Sequence, residues 1–261
     1  MIPTTADIPQ ARSYKGLPID QFKLAGNYKD PFVEWREALP FFRRIISRNI
    51  HRFYVGGYAK SGLPFREAVR FQLDFLIKQG LEPSNVLLDL GCGCLRGGLH
   101  FIDYLVAGHY QGMEISAEVV RLGIKRELGI DVFKSRRPEF VVSNNFDFVL
   151  LSQIPDIVLA NSVFTHLPST DVRACLQKLR SFVADHTTIF FSTFSEVDEN
   201  SDHVGQGHYL GGKSAMTYTQ DEMHKFGHET GWKTEYIGAW GHPKNKILKP
   251  FKQQMMFRFS T

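Results

Sequence analysis

The chain has 261 residues, 43% of them hydrophobic and 22% charged, with a formal net charge of +4. This is enough apolar material for one substantial core of the α/β kind, and the mild positive excess neither demands nor excludes an anionic partner. No apolar run approaches the ~18 residues of a membrane helix, Met1 to Gly16 hold no signal-type stretch, and three cysteines cannot build a disulfide framework, so a cytoplasmic protein is expected. Two of the cysteines, Cys92 and Cys94, form a lone C-x-C pair without partners for a zinc site.

In chain order, residues 1–63 form an aromatic and Arg-rich N-terminal extension, expected to be a cap with a helix over Asp30 to Ile50 and a loop at Tyr54 to Tyr58. The main domain then covers 64–261. Its first helix should run from Pro64 to Gly80, since proline suits the first turn and glycine the position after the last. Val86 to Leu90 is a short apolar run of the kind a buried parallel strand needs. Gly91 and Gly93 follow it, and they let the backbone turn tightly against a ligand that any Cβ would push away. A helix over Gly98 to Ala107 should face the sheet with Leu99, Ile102, Leu105 and Val106. Tyr110 to Ile115 carries a second strand ending at Glu114, about 23 residues after Gly91 and close to the ~20-residue spacing at which a carboxylate accepts ribose hydroxyls in such folds.

A helix over Ala117 to Leu128 precedes a third strand, Glu139 to Ser143, and a polar turn at Asn144-Asn145-Phe146-Asp147. The fourth strand, Asp156 to Asn161, runs into Ser162 to Leu167, and a helix over Thr170 to Val183 shows Val172, Cys175, Leu176, Leu179 and Phe182 at helical spacing. After a fifth strand at Thr187 to Phe194, residues 195–217 are rich in Gly, Ser, Asp and His and too long for an ordinary connection, as lids and binding loops are. Thr219 to Glu222 has capping-box spacing and should start a helix ending near Gly231. Strands at Thr234 to Trp240 and Gln253 to Phe259 complete the pattern. Strands and helices in alternation argue for a mostly parallel sheet covered on both faces.

Details around the glycines separate the cofactors. A dinucleotide fingerprint needs glycine at position 96, where this chain has Arg96, so a nicotinamide oxidoreductase is the weaker alternative. Asp89, two positions before Gly91, offers a carboxylate to orient the loop or meet a cationic amino group, which suits a ligand with an amino-acid end and no phosphate. Asp89-Leu90-Gly91-Cys92-Gly93 resembles the first motif of class I S-adenosylmethionine-dependent methyltransferases, and Glu114 matches their ribose-binding acid. The string Gly91 to Gly98 is similar to a bacterial subgroup with a GCGxLRGG signature, linked to modification of polysaccharides and other glycosylated molecules; Ser162 to Leu167 and Trp240 to Pro243 resemble further segments of such enzymes. The chain departs from the common pattern at Leu95, where many members carry a third glycine.

The resemblance implies a Rossmann-like, seven-stranded, mostly parallel sheet with a C-terminal antiparallel hairpin. It implies S-adenosyl-L-methionine as cofactor and S-adenosyl-L-homocysteine as product, held by Asp89, Gly91, Cys92, Gly93, Glu114, Ile115, Asn145, Phe146 and Asn161, with Asn145 and Phe146 at the adenine. Methyl transfer is an in-line displacement, so the protein mainly aligns and shields, and a hydroxyl acceptor also needs a base for its proton. Histidine suits that role. His166 is the best-placed candidate because it follows the C-terminal end of the fourth strand; His208, beside Tyr209, is the second, with His203 and His242 behind them. Each also has a plain structural role open to it as a helix cap or loop residue.

The expected acceptor is a small molecule, a hydroxyl of a sugar or glycosylated metabolite. N- or C-methylation and a silent cofactor-binding module are the alternatives. Basic clusters at Arg43, Arg44, Arg48 and Arg52 and at Lys244, Lys246, Lys249 and Lys252 are either solvated faces or attractors for a phosphorylated or nucleotide-linked sugar. No nucleic-acid module is recognisable, no acidic pair after the fourth strand calls for a metal, and self-association into a homo-oligomer is compatible with the sequence.

Overall fold

The computed structural model describes residues 21–25, 65–183, 189–196, 216–239 and 254–261. The N-terminal cap apart from 21–25, most of the 195–217 segment with His203 and His208, the Trp240 to Pro243 motif and both basic clusters lie outside the described residues. The chain divides into two compact units, Met1–Gln153 and Ile154–Thr261.

The first unit contains β1 (Phe22–Leu24), α1 (Phe65–Lys78), β2 (Leu87–Leu90), α2 (Gly98–Tyr104), β3 (Tyr110–Glu114), α3 (Ala117–Gly123), α4 (Ile130–Arg136) and β4 (Glu139–Val142). Its strands are ordered β1, β4, β3, β2 and all pair in parallel. Every residue of β2 and β4 is buried, as expected for strands covered on both faces. Phe140 on β4 is the hub of the core: Phe133 stacks on it at 6.2 Å, Tyr110 meets it edge-on at 6.0 Å and Phe22 tilts against it at 6.3 Å.

The second unit contains β5 (Ile157–Ala160), α5 (Ser169–Phe182), β6 (Ile189–Glu196), β7 (Thr217–Tyr218), α6 (Gln220–Glu229), β8 (Lys233–Ala239) and β9 (Gln254–Ser260). Here β5 and β7 pair in parallel with β6, while β9 lies antiparallel between β6 and β8. The expected antiparallel C-terminal pair is present, with a bulge between Tyr236 and Gly238. The capping box is present too: the Glu222 N–H donates to Thr219 Oγ1 at 3.1 Å and the Thr219 N–H to Glu222 Oε2 at 2.8 Å.

Several expectations are corrected. The helix α2 stops at Tyr104, so its buried face is Phe101 and Ile102, Leu105 is buried just past the end, and Val106 is 49% exposed. The physical reason is a cap from elsewhere in the chain: the Arg136 guanidinium bonds the carbonyls of Ile102, Asp103 and Leu105, which takes up the helix's last acceptors. The helix α3 passes into a π turn over Ile124–Leu128, and α4 was not anticipated. Nor was β1. Lys23 draws it onto the sheet by donating to buried Glu139 at 3.1 Å and to the Leu150 carbonyl at 2.8 Å, while the Gln21 side chain reaches the Phe133 carbonyl.

Candidate functional site

The glycine loop leaves β2 through a buried backbone anchor. The N–H groups of Gly91 and Cys92 both donate to the Met113 carbonyl, at 2.8 and 3.1 Å, so the loop is tied to the end of β3 before it turns. Gly91 and Gly93 then take left-handed φ values of +72° and +54°, which the sequence expectation requires of them. A Cβ at Gly93 would meet nothing closer than a backbone oxygen at 4.0 Å, so the concave side of the turn has room for a ligand.

Leu95 holds the position where a third glycine is common, and it adopts φ +64° while fully buried. Side-chain burial thus holds a leucine in a glycine conformation, a strain on the order of 1–2 kcal/mol that the apolar contact offsets. The remaining glycines serve close approach. A Cβ at Gly97 would lie 2.4 Å from the Gln72 side chain of α1, and one at Gly98 would lie 2.6 Å from the Tyr110 hydroxyl. Arg96, which breaks the dinucleotide spacing, sets its positive charge against the rise that burial gives the Cys94 thiol.

Glu114 connects loop and strand. Its Oε2 accepts the Gly93 N–H at 2.9 Å and its Oε1 accepts the Ile115 N–H at 2.8 Å, so two backbone donors fix the carboxylate plane beside the turn. Asp89 is buried and accepts a 2.8 Å hydrogen bond from the Tyr110 hydroxyl. Burial raises the Asp89 carboxyl from its ordinary 3.8 to about 7; the Tyr110 bond works against the rise and the negative Glu114 adds to it. The same burial pushes the Cys92 thiol up, which keeps it neutral and makes it a packing group.

After β4 the chain makes a tight polar turn. Ser143 Oγ donates to Asp147 Oδ2 at 2.7 Å and accepts the N–H groups of Asn145 and Asp147. Asn145 is exposed and Phe146, half-buried, has φ +51° with its ring stacked on Phe148 at 6.4 Å. A phenylalanine in left-handed backbone is strained, and such strain concentrates at binding sites. Sequence reasoning placed Asp147 in this turn and Ser143 at the end of the strand before it but favoured Asn145 and Phe146, and it missed the Ser143–Asp147 bond that shapes the turn; serine two and four residues ahead of the backbone groups it bonds was the available signal.

Asp89, Gly91, Cys92, Gly93, Glu114, Ile115, Asn145 and Phe146 all lie in the first unit: Asp89 and Glu114 at the C-terminal ends of β2 and β3, the others in the loops that follow β2, β3 and β4. Asn161 and His166 lie in the second. Asn161, half-buried, follows β5; Ser162 after it has φ +60°. His166 closes a 3-10 turn over Phe164–His166, exposed at its surface, with its basicity lowered by partial burial. That turn is braced on both sides: Thr165 Oγ1 donates to the Ser162 carbonyl, the Met216 N–H donates to the Thr165 carbonyl at 2.8 Å, and the Tyr218 hydroxyl donates to the Leu167 carbonyl at 2.5 Å. Among the described residues, no group of three or more His, Cys, Asp or Glu could hold a metal ion, and no helix is long and apolar enough to cross a membrane.

No family model matches the chain. Among solved structures it is similar to the magnesium protoporphyrin IX methyltransferase of Synechocystis with bound S-adenosylmethionine, at 15% identity over 88% of this chain and 91% of that one, with a TM-score of 0.53. An amino pentose methyltransferase of calicheamicin biosynthesis from Micromonospora echinaspora matches at 13% identity, covering 80% and 97%, with a TM-score of 0.56. A S-adenosylmethionine-dependent methyltransferase from Clostridium acetobutylicum matches at 11% identity, covering 82% and 98%, also at 0.56. At such identities the likeness establishes the fold: the mostly parallel α/β architecture of class I methyltransferases, with its antiparallel C-terminal strands.

Proposed function

We propose that this chain is a S-adenosylmethionine-dependent methyltransferase whose acceptor is a hydroxyl of a sugar or glycosylated small molecule. The observation that carries the reading is the cradle of Asp89, the left-handed Gly91 and Gly93, and Glu114 clamped by the N–H groups of Gly93 and Ile115. Its chemistry fits the cofactor: a buried carboxylate for an ammonium, a fixed carboxylate for ribose hydroxyls, and a turn of bare backbone for close approach, with nothing arranged for a pyrophosphate. Asn145 and Phe146 would serve the adenine, by a side-chain amide hydrogen bond and a ring face, and Cys92 and Ile115 would line the cradle; Asn161, in the second unit, is a further candidate from the sequence. The loop string Gly91 to Gly98 supports placement in the GCGxLRGG subgroup.

When bound, S-adenosylmethionine supplies a methyl carbon activated by its sulfonium. The chain's residues then bind and orient. Asp89 would hold the cofactor at its amino-acid end and Glu114 at its ribose, fixing the methyl group's direction relative to the acceptor. His166 is proposed to take the acceptor's proton on its imidazole nitrogen: partial burial lowers its pKa, so the ring is neutral and able to accept at neutral pH. His208 is the second candidate.

Solved structures with this fold include a glycopeptide N-methyltransferase and the amino pentose enzyme already described, which favours as a second reading an amine on a sugar as acceptor. Phosphorylated or nucleotide-linked sugars belong in the acceptor panel, and cytoplasmic action is the expected setting.

Calorimetric titration with S-adenosylhomocysteine tests the cofactor assignment. Binding by the native protein that falls at least about 100-fold in Glu114→Ala and Asp89→Ala is expected, as buried charge-assisted bonds require. A folded native protein that ignores the ligand removes the assignment, the silent cofactor-binding module included, and leaves a role in binding something else or a structural one. Transfer of labelled methyl groups to hydroxy- and amino-sugar panels then separates the two acceptors, and His166→Ala should slow transfer to a hydroxyl by about 10²- to 10⁴-fold.

A further inference from the structure

Three residues far apart in the sequence converge on one hydrogen bond. Tyr110 opens β3, is almost fully buried, and donates from its hydroxyl to Asp89 Oδ2 at 2.8 Å. The phenol reaches the carboxylate because Gly98, the first residue of α2, has no side chain: a Cβ there would stand 2.6 Å from the hydroxyl oxygen and 3.2 Å from the ring carbon that bears it. Gly112, two residues along β3, clears the adjoining layer, since its Cβ would meet Phe140 at 2.8 Å and Cys92 Sγ at 2.9 Å, and Phe140 is the ring against which Tyr110 packs. A buried phenol needs a hydrogen-bond partner, but a backbone carbonyl would serve the core equally well. Here the partner is the one carboxylate that leads into the glycine turn.

We propose that Tyr110 is a positioning residue for the cofactor, its hydroxyl, admitted by the bare Cα of Gly98, holding the Asp89 carboxylate in place to receive the cationic amino group of the cofactor's amino-acid end. This rests on the cofactor assignment above. The titratable groups that act on Asp89 are Tyr110 and Glu114, both on β3, and Cys92 in the turn that follows β2. Burial and Glu114 raise the carboxyl to about 7 and the phenol's bond opposes them, so Tyr110 sets how far Asp89 is ionised near neutrality as well as where it points. Below that pH the carboxyl is neutral and has lost its attraction for an ammonium; affinity therefore rises with pH through about 7 and then levels off.

The test has a ligand-free arm and a binding arm. Carbon-13 labelling of aspartate carboxyls, with Asp89→Asn to assign the signal, follows the Asp89 titration by NMR in the native protein, Tyr110→Phe and Gly98→Ala. Tyr110→Phe keeps the ring packed on Phe140 and removes only the donor, whereas Gly98→Ala keeps the donor and displaces it. Both should raise the Asp89 midpoint by about one pH unit. In calorimetry with S-adenosylhomocysteine, both variants should bind more weakly than the native protein at every pH, with the deficit about three- to tenfold larger at pH near 6.5 to 7.5 than near pH 9. An unmoved midpoint, or native affinity at every pH, overturns the inference while leaving the cofactor assignment standing. A native protein that binds no S-adenosylhomocysteine at any pH overturns both.

Discussion

In the first unit the carboxylates of the candidate site are buried or fixed by backbone donors. Asp89 lies under Tyr110, Glu114 is clamped by Gly93 and Ile115, and Ser143 organises the Asn145–Phe146 turn. In the second unit His166 stands exposed on a short turn that is braced by the His166 N–H on the Val163 carbonyl and by bonds to the carbonyls of Thr165 and Leu167. Under the proposed function, a preformed cradle would suit a cofactor that is the same at every turnover, and an exposed histidine on a braced turn would suit an acceptor that must enter and leave. The contrast has consequences for stability and for binding.

The largest stability effect should come from the core beneath the cradle. Phe140→Ala removes the ring that joins Phe22, Tyr110 and Phe133 and should cost about 3–5 kcal/mol in urea unfolding, with cofactor binding lost alongside. A loss below about 1 kcal/mol would mean that the cradle does not depend on this core.

Asp89 should show the opposite sign. Its carboxyl is raised from 3.8 to about 7, so the folded chain holds a proton that the unfolded chain releases. The stability contributed by protonated Asp89 is fully present below about pH 4 and is lost as pH rises through about 7. Asp89→Asn, which carries no titrating proton, should therefore be more stable than the native protein at about pH 8, by on the order of 2–4 kcal/mol, and no more stable at pH near 4. Its affinity for the cofactor should nevertheless fall. Melting curves at the two pH values check the first statement, and equal stability at both would show that Asp89 is not held in a desolvated site.

Smaller effects lie in the second unit. Thr219→Ala breaks the capping box of α6 and should cost about 1 kcal/mol by denaturant titration. His166→Ala should change stability by no more than about 0.5 kcal/mol, since the residue is exposed and its ring only partly desolvated, and should act instead on the rate of methyl transfer. A large stability loss at His166 would turn it into a structural residue and erase the contrast between the two regions.

The sequence by itself determined most of the strands and helices of the main domain, because apolar periodicity and glycine placement are local signals: β2, β3, β4, β5, α5 and α6 all fall within a few residues of where the pattern puts them, while the short α4 and β7 carry no such pattern. It also determined the glycine turn and its two acids, since positive φ and a carboxylate at fixed spacing can be read along the chain. Tertiary structure alone decided what those groups do to one another. Arg136 ends α2 from more than thirty residues away, Lys23 adds β1 through a buried Glu139, and Leu95 takes a glycine's conformation because its side chain is buried. Tyr110 looked like a strand residue and is the donor to Asp89; that bond exists only because Gly98, on the next helix, leaves it room. Packing of this sort couples positions with no fixed separation in sequence, so no local pattern announces it.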